Sequence, residues 1–136
     1  MKFKTLSNKE VNVPILPTRF PIRTREACKS FGQFALGRLL LELYGNSEII
    51  LEEFSIPDSR LSLDFFLPNR KIAFEFQGKQ HQTFSKFFHG TKKGLDKQLQ
   101  RDATKKEWCD LNGIQLVYVY DDTISLDELK VLIYGE

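Results

Sequence analysis

The sequence predicts a mixed α/β (α+β) domain: a central sheet flanked by helices in the order α-β-β-β-α-β-α. Three helix-forming stretches carry cap residues at an end, and four short runs are rich in β-formers. The third and fourth of those runs are separated by a long helix-forming stretch. The last strand must therefore cross over the sheet before it pairs, which makes a layered sheet the expected architecture.

The first 25 residues contain Pro14, Pro17 and Pro21 within a segment that has no helical period, and they read as an extended basic arm. A single domain over residues 26–136 follows. Ser30-Phe31-Gly32-Gln33 is a capping-box pattern; Phe31, Phe34, Ala35, Leu39, Leu40 and Tyr44 continue at helical spacing until Gly45 supplies the stop. Ile49 to Phe54 and Leu61 to Leu67 are β-rich runs separated by Ile56-Pro57-Asp58-Ser59, and Pro68-Asn69-Arg70 turns the chain into Ile72-Ala73-Phe74-Glu75-Phe76. A three-stranded meander is expected there. Gln77 to Gly90 holds both histidines and no period, so it reads as a long loop of the kind that is usually functional. Strong helix formers fill Lys92 to Asn112, closed by Asn112-Gly113; Ile114 to Tyr120 alternates as a strand, and Ser125-Leu126-Asp127-Glu128 opens a terminal helix.

A length of 136 residues fits one core, and twelve Phe, four Tyr and one Trp supply the apolar area to build it. Disorder, collagen and a disulfide-stapled mini-protein are excluded. No apolar run approaches the roughly 20 residues that cross a bilayer, and the Met-Lys-Phe-Lys start has no apolar stretch behind it. No membrane association is expected. Cys28 and Cys109 are too far apart in sequence for a CxxC site and too few for a disulfide framework, so a reducing, cytoplasmic setting is expected.

The net charge of +2 hides segregation. Residues 1–29 carry seven Lys or Arg against two acids and residues 79–106 eight against two, whereas residues 42–64 carry six acids against Arg60. The basic blocks are either solvated faces or the footprint of a polyanion.

Asp64 and Glu75 each fall inside an apolar strand run, where an ionised carboxylate costs several kcal/mol unless it is paired or bound to a metal. They are roughly equidistant from the turn near Asn69 and can stand opposite each other across a hairpin. Their oxygens could share one Mg²⁺; the other reading is that one or both face solvent. Glu52 and Glu53 read as solvent-facing. On the long helix, Leu95, Leu99, Asp102, Lys106 and Cys109 repeat at spacings of four, three, four and three. Asp102 therefore either faces the sheet or pairs with Lys106 at the surface. His81, six residues after Glu75, can take a proton from an attacking water with Asp102 fixing its tautomer, or it is a solvent-exposed loop histidine. His89 has a weaker claim.

Taken in order, Leu63-Asp64-Phe65-Phe66-Leu67-Pro68, Ile72-Ala73-Phe74-Glu75-Phe76-Gln77-Gly78-Lys79-Gln80-His81, Gln100-Arg101-Asp102 with Lys105 and Lys106, and then Cys109, Asn112, Gly113 and Ile114 form one pattern. This pattern resembles the PD-(D/E)XK restriction-endonuclease-like superfamily. The likeness is to the branch of very-short-patch mismatch repair endonucleases and of phage homing endonucleases with an E-D-x-H-D constellation, and it covers about residues 28 to 120. The resemblance implies that Asp64 and Glu75 ligate Mg²⁺ or Mn²⁺, that His81 acts as base or phosphate contact and that Asp102 supports it. Two positions depart from the family pattern. Gln33 stands where such nucleases usually carry an acid on the first helix, and Gln77 stands where the ExK lysine would be. Gln77 can orient a water or phosphate but brings no positive charge, a role open to Lys79 or Lys105.

The resemblance also gives the basic blocks a partner, DNA. Lys79, Lys86, Lys92, Lys93, Lys97, Arg101 and Lys105 would neutralise backbone phosphates, and Arg19, Arg23 and Arg25 would either lie in a groove or pack on the sheet or a partner subunit. Phe84, Phe87 and Phe88 read as a base wedge, a core anchor or a dimer contact. The implied activity is metal-dependent cutting or nicking of DNA, of homing or repair type, in a bacterial or phage-infected cell. The alternatives are a nuclease fold that binds DNA without cutting it, and a nuclease directed to branched DNA. A chain this short would dimerise, or form a larger homo-oligomer, to cut both strands of a long target.

Overall fold

The computed structural model describes residues 1–78 and 92–135, the side chains of residues 92, 93 and 95 excepted. Strands β3 (Leu51–Ser55), β4 (Ser62–Leu67), β5 (Ile72–Phe76) and β6 (Gln115–Val119) form one sheet in the order β3-β4-β5-β6. β3, β4 and β5 are an antiparallel meander; β6 joins β5 in parallel after the helix α2 (Lys92–Leu111). With α1 (Phe31–Tyr44) and α3 (Leu126–Tyr134), the described residues make a mixed α/β fold of three helices around a four-stranded mixed sheet, as the sequence predicts.

The helix ends follow the sequence closely. The Ser30 side chain accepts from the Gln33 amide, and Gly45, at φ +54°, returns its N–H to the Leu41 carbonyl. Ser125 and Glu128 close the full reciprocal box at the start of α3. Only half of the box forms on α1, because the Gln33 side chain is used elsewhere.

Each face of the sheet has its own core. Phe65, Leu67, Phe74, Val117 and Val119 pack with Leu36 and Leu40 of α1 and Leu129 and Ile133 of α3. Leu51, Phe54, Leu63, Phe66 and Ala73 pack with Trp108 and Cys109 of α2.

Phe3 joins the second core, which corrects the reading of residues 1–25 as an extended arm. β1 (Lys2–Lys4) and β2 (Glu10–Asn12) form an antiparallel hairpin with Phe3 opposite Val11. Asn8 takes φ +66° in its turn, which an Asn tolerates better than most residues. The ring of Phe3 lies 5.3 Å from Trp108, 5.9 Å from Phe54 and 6.1 Å from Phe66. Such short strands carry one inward apolar residue each, too little to register as alternation. The prolines come after the hairpin, along residues 14–25, where the Phe20 carbonyl and the Arg23 amide bond to Glu52.

The stripe on α2 is also corrected. Leu99 is 54 % exposed, and the helix buries Trp108 and Cys109 near its C-terminal end. Lys106 pairs with Asp110 at 2.6 Å and not with Asp102. The inward series is Gln98, Asp102 and Lys105, all lining a cleft. A one-residue offset is about 100° around a helix, enough to exchange an apolar stripe for a polar one.

The start of α1 is pressed against the end of β5. A Cβ added to Gly32 would lie 1.9 Å from Cε1 of Phe76. Gly32→Ala, which would ordinarily firm a helix, is instead expected to cost about 1–3 kcal/mol by displacing that ring. Urea unfolding of the variant checks this.

Candidate active site

The cleft has a volume of about 230 Å³ and lies between the N-terminus of α1, the middle of β4, the end of β5 and the polar face of α2. Its floor comes from an interruption in the sheet. β4 and β5 pair through Phe65↔Phe74, where their backbone ladder ends. Beyond it β4 continues beside β3 as far as Ser62, and β5 continues beside β6 as far as Phe76. Asp64 and Glu75 occupy the next rung. The Asp64 amide donates to Oε2 of Glu75 at 2.7 Å, and the Phe76 amide donates to Oδ2 of Asp64 at 2.8 Å. Two carboxylates thus stand in for backbone carbonyls, and each keeps its second oxygen for other partners.

Those second oxygens meet lysines. Nζ of Lys105 lies 2.5 Å from Oε1 of Glu75, and Nζ of Lys29 lies 3.6 Å from Oδ1 of Asp64. Lys29 is also 3.1 Å from Oε1 of Glu53, which faces Asp64 in the β3–β4 register. Glu53, Asp64 and Glu75 therefore form a row across three adjacent strands. Tyr118 extends it, since Glu75 pairs with Tyr118 on β6. Neighbouring like charges repel, and the two ammonium groups are what the row needs to stay compact.

Glu52 and Glu53 correct the expectation that both face solvent. Glu52 is 2 % exposed; it accepts from Nε2 of Gln33 at 2.8 Å, from the Arg23 amide at 2.7 Å and from the Cys28 thiol at 3.1 Å. Glu53 accepts from Ser62 Oγ at 2.7 Å and from Gln33 Nε2 at 3.1 Å. Gln33 bridges the two acids, a role that an acid at that position could not fill. Glu53 has φ +54°, so the backbone turns locally left-handed at this point in β3. Leu51 and Phe54 join one core although they are three residues apart.

Burial and the Glu75 charge raise the Asp64 carboxyl from its ordinary 3.8 to about 7, against the pull of Lys29, the Phe76 amide and Lys105. Burial opposes the charge on Lys29, but Asp64, Glu53 and Glu75 together outweigh it and its pKa rises. Burial would raise Glu53 as well; hydrogen bonds from Ser62, Gln33 and Lys29 bring it down. Tyr118 is pushed up to about 12 by burial, with Asp102 and Glu75 adding to it, so its hydroxyl stays a donor at neutral pH.

A pH dependence follows from Asp64. Because the folded chain holds this proton more tightly than the unfolded chain, the stability this group contributes is complete below about pH 4 and is lost as pH rises through about 7. Inside that window each step up in pH weakens the fold. Melting of wild type and Asp64→Asn in EDTA across this range isolates the effect. The variant is expected to gain on the wild type as pH rises.

Of the other residues singled out in the sequence, Gln77 and Asp102 line the cleft, and Asp102 accepts from Nε2 of Gln98 at 3.2 Å. Lys97 and Arg101 are exposed on α2, and Arg101 bonds Oε1 of Gln98. Lys105 is committed to Glu75 and is only 15 % exposed. Arg19, Arg23 and Arg25 lie around the start of β3 and of α1, with Arg19 over the Phe20 ring and Arg25 over the Phe31 ring. Lys79, His81, Phe84, Lys86, Phe87, Phe88 and His89 lie outside the described residues, as do the side chains of Lys92 and Lys93. Lys29 and Gln98 are cleft residues that the sequence reading missed, and Glu53, bonded to Lys29, is an acid of the row that it took as solvent-facing. Two acids inside Ile49-Ile50-Leu51-Glu52-Glu53-Phe54 carried the same signal as Asp64 and Glu75.

Among the described residues no three His, Cys, Asp or Glu side chains close around a common point as a metal cage. The donor set is two hard carboxylate oxygens at the wall of a polar cleft, each held by a lysine. That suits a cation that takes one or two carboxylates and keeps its waters, and does not suit zinc.

Comparison with known proteins adds relatives from viruses. The chain is 35% identical over 80 residues to "Uncharacterized protein 033L" of Invertebrate iridescent virus 3, covering 59% of this chain and 41% of that protein. It is 40% identical over 60 residues to "Uncharacterized protein 094L" of Frog virus 3 (isolate Goorha), covering 43% and 39%, and 34% identical over 59 residues to "Uncharacterized protein 307L" of Invertebrate iridescent virus 6, covering 43% and 30%. The alignments thus span less than half the length of these relatives. No family model and no solved structure matches the chain. Among the described residues no helix is long and apolar enough to cross a membrane.

Proposed function

We propose that the chain is a metal-dependent DNA endonuclease on a restriction-endonuclease-like fold. The observation that carries this reading is the rung of Asp64 and Glu75: two buried carboxylates on adjacent strands at a polar cleft, each anchored by a backbone amide, each with its second oxygen held by a lysine. The two oxygens would hold Mg²⁺ or Mn²⁺. When bound, such an ion supplies Lewis acidity to a phosphoryl oxygen and lowers the pKa of a water.

The chain's own residues do the rest. Lys105 and Lys29 neutralise the acids in the metal-free chain, and both ammonium groups would stand beside a scissile phosphate seated in the cleft. Lys105 then supplies the positive charge that Gln77 lacks. Gln77 and Asp102 orient water at the cleft wall, and Gln33 locks Glu52 and Glu53 so that the row keeps its spacing. Lys97 and Arg101 meet backbone phosphates along α2. The setting is the interior of a virus-infected cell, where DNA and Mg²⁺ are at hand.

Conversion of supercoiled plasmid to nicked or linear DNA in Mg²⁺, Mn²⁺ or EDTA tests the reading. Metal-dependent cutting supports it. A second reading, a DNA-binding module without catalysis, is favoured by the saturation of both acids by lysines; salt-sensitive retention of DNA with no cutting in either metal would establish that reading instead.

A further inference from the structure

The outer side of α1 carries a surface that the cleft does not use. A depression of about 490 Å³ is lined by Arg23, Arg25 and Arg38 together with Ile22, Phe34 and Leu41. None of the three guanidinium groups forms an ion pair among the described residues. Two of them cover aromatic rings: Arg38 lies 4.8 Å from the centroid of Phe34, and Arg25 lies 5.6 Å from that of Phe31, which is itself 53 % exposed. Arg38 also donates to the Arg23 carbonyl, which ties the segment before α1 to the helix.

The chain and its hydrogen bonds connect this surface to the cleft. Lys29 and Ser30, at the cleft wall, directly precede Phe31, and the Arg23 amide holds Glu52, which in turn holds Gln33. From Ser30 to Arg38 is roughly 12 Å along the helix axis, long enough to meet more than one phosphate of an extended strand. Phe31, Phe34 and Arg38 also line a neighbouring depression that carries Glu42 and Asp122, so acids flank the arginines on that side.

Unpaired cations alone would suit any polyanion. Rings and guanidinium planes at the surface add a second chemistry, because the face of an unpaired base stacks on either, whereas a base within a duplex offers no face. We propose that this side of α1 is a single-strand track feeding the cleft, so that the substrate is DNA with an unpaired segment beside the bond to be cut, an inference that rests on the nuclease reading above.

The test is fluorescence anisotropy of the full chain in EDTA, with a labelled oligothymidylate of about 12 nucleotides, within the span of a single-strand groove, and a blunt duplex of equal length. Phe31→Leu is expected to weaken oligothymidylate binding about tenfold, Phe31→Tyr to restore it, and neither to change duplex binding by comparable factors. Phe31 is exposed, so these variants fold. Arg25→Ala and Arg38→Gln should each lower the slope of log affinity against log salt by about 0.7. The track is overturned if Phe31→Leu binds oligothymidylate like wild type, if duplex binding falls equally, if oligouridylate binds more tightly than oligothymidylate, or if an oligoglutamate peptide competes as well as DNA. In Mg²⁺, tailed duplexes should be cut faster than blunt ones, and Phe31→Leu should erase the difference. Failure to cut any DNA, with Phe31-dependent binding intact, overturns the nuclease and leaves the track. Equal cutting of tailed and blunt duplexes without Phe31 dependence overturns the track and leaves the nuclease.

Discussion

Asp64→Asn and Glu75→Gln are each expected to lower metal-dependent plasmid cleavage by roughly 10³-fold or more while DNA retention stays within a few-fold of wild type. The magnitude follows from the several kcal/mol of transition-state charge stabilisation that a bound ion supplies, at 1.36 kcal/mol per decade of rate. The amides are chosen because they keep the cross-strand bonds: Asn at 64 still accepts from the Phe76 amide, and Gln at 75 still accepts from the Asp64 amide. What they lose is the charge that attracts a cation. Alanine at either position would remove the acceptor as well and confuse lost catalysis with a loosened rung. Glu75→Gln leaves Lys105 with no strong partner in a position only 15 % exposed, so its melting temperature should fall somewhat. Asp64→Asn relieves the strained carboxyl and should melt no lower than wild type at pH 8. Cleavage unchanged in both variants would reduce the row to a structural ion-pair cluster.

Phe3→Ala is expected to destabilise the chain by about 3–5 kcal/mol, out of the 5–15 kcal/mol typical of a whole domain. Its ring is 2 % exposed and touches Trp108, Phe54 and Phe66, so truncation opens a cavity among side chains that are themselves fixed on the sheet and on α2. Asn112 reinforces the contact, accepting from the Lys4 amide and donating to the Lys4 carbonyl. Urea unfolding followed by Trp108 fluorescence reports the loss directly. A shift below 1 kcal/mol would return residues 1–13 to the status of a dispensable arm.

The contrast between these two predictions tracks what the sequence made legible. Asp64 and Glu75 stood out because each is an acid in an apolar strand, and the turn at Asn69 sets their register; the helices were legible through Ser30, Gly45 and Ser125. Phe3 was not, since a three-residue strand offers a single inward side chain and no period. Glu53 was hidden by its left-handed backbone, which breaks the alternation that reading by twos relies on. The α2 stripe failed for the opposite reason. Its leucines promised burial, but the sheet beneath that part of the helix ends in carboxylates, and Lys105 is the side chain that answers them.

The rung of carboxylates has one more consequence. Because Asp64 and Glu75 complete the β4–β5 ladder with their own side chains, the cleft has no existence apart from the pairing of the strands. One residue inserted in the turn after Leu67 would slide β5 against β4, turn Glu75 to the opposite face and leave Phe74 or Phe76 beside Asp64. The hairpin thus acts as a gauge: a chain that closes it wrongly brings no pair of acids to the cleft. Assembly of the sheet and assembly of the cleft become a single event, and a misregistered chain forms neither.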